Sequence, residues 1–245
     1  MLAAAVTLAT LVGCSQPAEP ATSSAPPSET VGEPSEPGEP SEPSDDAAPS
    51  PSPDGIDTSD WLTYATHDGD MTYRYPADWT LQSESQFFSP DADREDVADP
   101  YARYMDAATL IAPNDQVLLQ SYDVVDLGGA CGGPERFQPV EILATEPLVA
   151  ATDTAIVTAA LRSIDGRWTF GMGLVGGDVS TVDTCVVQFT AGSSDGGLLL
   201  GTTPTITSNG DDPLWTVDTL DDARAYMETD EYATLLEVLR SVVLS

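Results

Sequence analysis

From residue 61 onward, apolar and polar positions alternate in short runs, the period-2 pattern of half-buried β-strands. Residues 62–66 (Leu-Thr-Tyr-Ala-Thr) and 71–75 (Met-Thr-Tyr-Arg-Tyr) flank His67, Asp68, Gly69 and Asp70. An Asp-Gly pair between two such runs predicts a tight β-hairpin. Pro76 ends the second strand, residues 79–83 resume it, and Phe87 and Phe88 precede a polar loop over residues 89–100. Further strands are expected over 104–112, 117–126 and 139–145. Two more hairpins are expected, 155–164 with 168–175 around Asp165 and Gly166, and 182–191 with 198–203 around a Ser/Gly-rich loop.

The period changes near the end of the chain. Leu220, Ala223, Tyr226 and Met227 recur at helical spacing behind the acidic residues Asp221 and Asp222, which suit a helix N-terminus. A second helical stretch starts near Thr229 and carries Tyr232, Leu235, Leu236 and Leu239 on one face. Residues 241–244 return as a short strand. Antiparallel strands followed by helix predict an α+β domain. About 190 residues take part, enough for one sizeable core.

Residues before about 58 follow neither period. The run from Glu33 to Pro43 repeats Glu-Pro and Ser-Glu units, too poor in apolar side chains to fold and suited to extended polyproline II. At about 3.1 Å per residue, residues 14–57 form a spacer on the order of 100 Å. Ahead of it, an apolar run from Leu2 to Val12 ends in Leu11, Val12, Gly13 and Cys14. That pattern resembles the lipobox of bacterial lipoproteins, in which the cysteine is lipidated and becomes the first mature residue. The resemblance implies a signal peptide over 1–13, a lipid anchor at Cys14 and a place on the extracytoplasmic face of the cell membrane. The run is shorter than the roughly 20 residues a spanning helix needs. No basic residue precedes it, so the expected start codon lies upstream and adds Lys or Arg.

Charge narrows the partners. The chain carries 41 acidic residues against 8 basic ones, a formal net charge of −33. About ten of the acids lie in 14–57, leaving the domain near −23. A field of that sign repels nucleic-acid phosphates and anionic headgroups, so nucleic acid is excluded. It also strains the compact state, as expected for a high-salt habitat or a surface that gathers cations.

Cysteine usage fits an exported protein. With Cys14 assigned to lipid, Cys131 and Cys185 remain and can form a disulfide across 54 residues or stay as separate thiols. Zinc is disfavoured, because the single histidine, His67, does not complete a tetrahedral set with two cysteines.

Catalytic and metal motifs are thin. Residues 192–196 (Gly-Ser-Ser-Asp-Gly) match the Gly-x-Ser-x-Gly elbow as text. That motif needs a following helix, and Leu198, Leu199 and Leu200 predict a strand instead. His67, beside Asp68 and Asp70, reads as a solvent-facing turn residue. Asp91, Asp93 and Glu95 place oxygen ligands at alternate positions, as calcium loops do, yet Asp96 and Ala102 occupy the positions that need Gly and Glu in an EF-hand. Calcium is thus a weak candidate, and otherwise no cofactor is expected.

Residues 73–79 (Tyr-Arg-Tyr-Pro-Ala-Asp-Trp) contain a Tyr-Pro-x-x-Trp element after the opening hairpin. Residues 225–232, with Leu239, Arg240, Ser241 and Val242, follow a terminal-helix pattern. Together they resemble the PsbP-like (Mog1/PsbP) domains of actinobacterial lipoproteins. The resemblance implies an α-β-α sandwich on a mainly antiparallel sheet with a C-terminal helix over 58–245, and a non-enzymatic binding or assembly factor. Its partner would be an envelope protein or a small ligand. An envelope hydrolase and a solute-binding lipoprotein are the competing expectations.

Overall fold

In the computed structural model the folded unit spans Ala48–Ser245. The structure describes residues 55–89, 102–125, 131–177, 181–193, 196–210 and 212–245. Cys14 and the trio Asp91, Asp93 and Glu95 lie outside the described residues.

The opening hairpin forms as expected. β1 (Leu62–Ala65) pairs antiparallel with β2 (Met71–Tyr75), with Tyr64 opposite Tyr73. Gly69 takes the positive φ, +78°, that the turn requires. The last strand, β14 (Val243–Leu244), adds to the other side of β2. Just before it, Ser241 Oγ accepts the Arg74 backbone N–H at 2.8 Å, so a side chain extends the ladder where the helix end has left it.

The main sheet is antiparallel and built from long strands. Its path begins with β3 (Thr80–Phe88), β4 (Arg103–Ile111) and β5 (Val117–Val124). β6 (Val140–Pro147), β7 (Thr154–Arg162) and β8 (Trp168–Gly176) make the other half. β11 (Gly196–Gly201) joins the halves, giving the order β3-β4-β5-β11-β8-β7-β6. β10 (Thr190–Ser193) pairs with β11 and β13 (Thr216–Val217) with β8. β3 runs five residues past the expected stop at Ser83, since every residue to Phe88 finds a partner on β4.

Strand alternation sends β7 and β8 side chains to two different layers. Ile156 and Ala160, with Phe170, Met172 and Leu174, face the core under the helices. That side is covered by α1 (Leu220–Tyr226) and α2 (Asp230–Arg240), where Tyr232, Leu235, Val238 and Leu239 are buried. Burying each such side chain is worth about 1.5–3 kcal/mol. Thr219 caps α1 in a reciprocal capping box with Asp222, and Thr229 caps α2 through the Tyr232 N–H. Thr158 Oγ1 and Tyr232 OH, 2.9 Å apart, satisfy each other in this core.

Val157, Ala159 and Leu161 face the opposite way, into a second cluster with Phe189 and Ile206. The cover here is a two-stranded ribbon, β9 (Val186–Gln188) with β12 (Thr205–Thr207). The expected strand 182–191 is therefore two elements broken at Phe189, which is fully buried. Phe189 packs close against the sheet because Gly173 has no side chain. A Cβ there would collide with the Leu200 carbonyl and sit 2.6 Å from Phe189 Cβ. The α+β class, the antiparallel sheet and the C-terminal helix are as the sequence predicts; among the described residues the second cover is this ribbon.

Cys131 and Cys185 are disulfide-bonded, with Cα atoms 5.7 Å apart. The bond fastens the start of the ribbon to the segment after β5, and Gln138 and Thr184 bridge beside it.

Candidate functional site

The site grows out of the end of the helix-side core. Leu110 faces Leu119 and Ala108 faces Ser121 across β4 and β5, and these positions are buried. Two residues further along the same face come Asp106 and Asp123, and then Tyr104. The apolar cover ends there, so polar side chains line an opening between the main sheet and the first hairpin. The hairpin turn adds Asp68 and Asp70, and Leu198 and Leu244 form the inner wall. The cleft encloses about 220 Å³, below the roughly 300–1,000 Å³ of drug-sized sites. Its size suits one side chain or one small charged group.

Four carboxylates, Asp68, Asp70, Asp106 and Asp123, line the cleft against one guanidinium, Arg103. Asp123 Oδ2 accepts the Asp106 N–H at 2.8 Å, and Asp106 Oδ2 accepts the His67 N–H at 3.1 Å. Burial pushes the Asp123 carboxyl above the usual carboxylate range; Asp106 and Asp70 add repulsion, and the Asp106 N–H and Arg103 oppose the rise. Tyr64, beneath them, is pushed up to about 12, first by burial and then by Asp106 and Asp123. Arg103 is turned partly away, donating to the Val124 carbonyl at 3.1 Å.

Tyr104 lines the cleft and belongs to an aromatic cluster that extends outside it. The His67 imidazole stacks on Tyr104 with centroids 3.6 Å apart, and Phe87 meets Tyr104 edge-on at 5.4 Å. Phe87 is 57% exposed and Tyr104 36%. Aromatic faces beside unneutralised carboxylates attract organic cations. Among the described residues no group of three or more His, Cys, Asp or Glu converges closely enough to hold a metal ion, so the acidic groups surround a volume and do not focus on a point.

The structure places His67 in an exposed turn, as its sequence context suggests, but on an aromatic stack. The Gly-Ser-Ser-Asp-Gly stretch runs from the end of β10 into β11, strand to strand, with residues 194 and 195 outside the described residues. An elbow needs strand to helix. Sequence reasoning missed Asp106, Asp123, Tyr104 and Phe87. A signal was present: Asp106 and Asp123 interrupt the apolar face of otherwise well-patterned strands.

A second cleft of about 340 Å³ lies under the ribbon, lined mainly by aliphatic side chains such as Ile142, Val157, Val175 and Val187. Among the described residues no helix is long and apolar enough to cross a membrane. No protein-family model, no curated protein and no solved structure matches the chain.

Proposed function

We propose that this protein is a lipid-anchored, non-catalytic module of the bacterial envelope that binds a positively charged group of a partner protein. The observation that carries the binding half is the small cleft with four carboxylates and one arginine beside Tyr104, whose ring is packed by His67 and Phe87. A lysine or arginine side chain would place its charge among Asp68, Asp70, Asp106 and Asp123 and its methylenes on the Tyr104 ring. The anchoring half rests on the lipobox at Cys14 and the Pro/Glu spacer, which keeps so acidic a domain clear of anionic headgroups. The PsbP-like resemblance of residues 73–79 and 225–242 supports a binding or assembly role over catalysis.

The test uses the full chain and an eight-residue peptide of alternating Val and Lys. Calorimetry should give saturable binding that Asp106→Asn and Tyr104→Ala each weaken about tenfold, while an alternating Val-Glu peptide stays silent. In envelope fractions, Cys14→Ser should move the chain from membrane to soluble material. Equal affinity of wild type and both cleft variants sinks the binding half; a Cys14→Ser chain that stays with the membrane sinks the anchor.

A further inference from the structure

β3 ends one edge of the main sheet, and among the described residues no strand pairs with its outer side. It is nine residues long, it contains no Pro or Lys, and it is exposed from Gln82 through Phe87. Natural edges are usually shortened, bulged or charged to prevent pairing; this one carries a single charge, Glu84.

The ladder shows which peptide groups face outward. Asp106 aims its backbone N–H at Asp123 on β5, and so away from β3. Ser85 lies directly opposite Asp106. Opposite residues of an antiparallel pair exchange both hydrogen bonds or neither. Ser85 therefore turns its N–H and C=O to the open edge, as do Leu81, Ser83 and Phe87 at the same phase. These four residues form a continuous row of donors and acceptors that no described strand pairs, and the row leads to Phe87, which packs edge-on against Tyr104 of the cleft.

We propose that β3 is a strand-addition site, on which an extended, Lys- or Arg-bearing segment of an envelope protein continues the main sheet and inserts one cationic side chain into the cleft. This rests on the cleft reading above and specifies how the partner is held: backbone pairing along β3 supplies register, and the acidic cleft selects the charge. Charge complementarity favours that occupant over a second copy of this chain. The self-pairing register that uses all four outward residues puts Glu84 opposite Glu84 of the copy, and like charges facing across a pair are destabilising. Two chains of formal charge −33 also repel.

The edge is tested with Ser85→Pro in the full chain, against the same Val-Lys peptide. Proline removes the outward N–H of Ser85 and leaves the β4 ladder its bonds, which an edge strand tolerates. The expected result is a melting temperature close to wild type and at least a tenfold loss of affinity, with Ser85→Ala within twofold of wild type. Should Ser85→Pro fail to fold, a Val-Lys peptide N-methylated at alternate residues should lose at least tenfold against the wild-type chain. Binding that Asp106→Asn weakens and neither Ser85→Pro nor N-methylation affects overturns strand addition and leaves the cleft reading standing. Binding indifferent to all of these overturns both. A dimer in solution that Ser85→Pro dissolves overturns the proposed occupant in favour of a second copy.

Discussion

Among the described carboxylates Asp123 carries a clear electrostatic cost, because burial disfavours its charged form and two neighbouring carboxylates add to the penalty. Its folded pKa lies above the unfolded value. The folded state thus gains, relative to neutral pH, from a protonated Asp123 at pH below about 4, and that gain is lost as pH rises through the folded pKa. Asp123→Asn keeps the shape and an acceptor for the Asp106 N–H. It should raise the melting temperature at pH 7, and the advantage should shrink toward zero as the pH falls below about 4. Thermal melts across that range check it; an unchanged melting temperature at pH 7, or an advantage that grows in acid, contradicts it. The destabilised carboxylate lines the cleft, where a partner's cation would relieve it.

At the scale of elements, the ribbon β9–β12 is the part of the fold that local pattern alone does not hold in place. Each of its strands has three residues, and its grip on the sheet comes from Phe189, Ile206 and the Cys131–Cys185 bond. The bond closes 54 residues, worth roughly 4 kcal/mol on the chain-entropy account. The double variant Cys131→Ser, Cys185→Ser should lose about 2–4 kcal/mol in denaturant melts. In hydrogen exchange its ribbon amides should open ahead of β7 and β8; uniform exchange across both layers would show that the bond does not act through the ribbon. The helical cover behaves differently. α2 docks through four buried side chains and is pinned at its end by Arg240, which holds both Glu146 oxygens at 2.8 Å.

On the scale of the whole molecule, one number dominates: a formal charge of −33. The described surface offers few local answers to it. Ion pairs among the described residues involve Arg167, Arg224 and Arg240, and the first two join exposed neighbours in sequence, a kind of pair worth at most about 1 kcal/mol. Repulsion among the remaining carboxylates is spread over the surface, so screening it should stabilise the fold. Raising NaCl from about 0.1 M to 1 M cuts the Debye length from about 10 Å to 3 Å, and the melting temperature should rise by several degrees. No rise in calorimetric scans would mean that the acidic surface is neutralised in some other way.

The division between what sequence and what tertiary structure decided follows from the range of the interactions. Period-2 alternation, Gly69 in its turn, the helix-start residues Thr219 and Thr229 and the return strand after Ser241 are settled within a few residues of each other. The first hairpin, the long β4, β5, β7 and β8, both helices and the α+β class are legible for that reason. Spacing left the disulfide open; only the fold brings Cys131 within 5.7 Å of Cys185 at Cα. The cover on the second face depended on Gly173 letting Phe189 reach the sheet, a contact between residues that no local period connects. The cleft is of the same kind. Asp68 and Asp70 belong to one hairpin, Asp106 and Asp123 to neighbouring strands of another sheet, and each alone reads as an ordinary turn or surface acid. Their meeting beside Tyr104, and the outward turn of Ser85, follow from strand register, which is set by pairing across the sheet and not by any single strand.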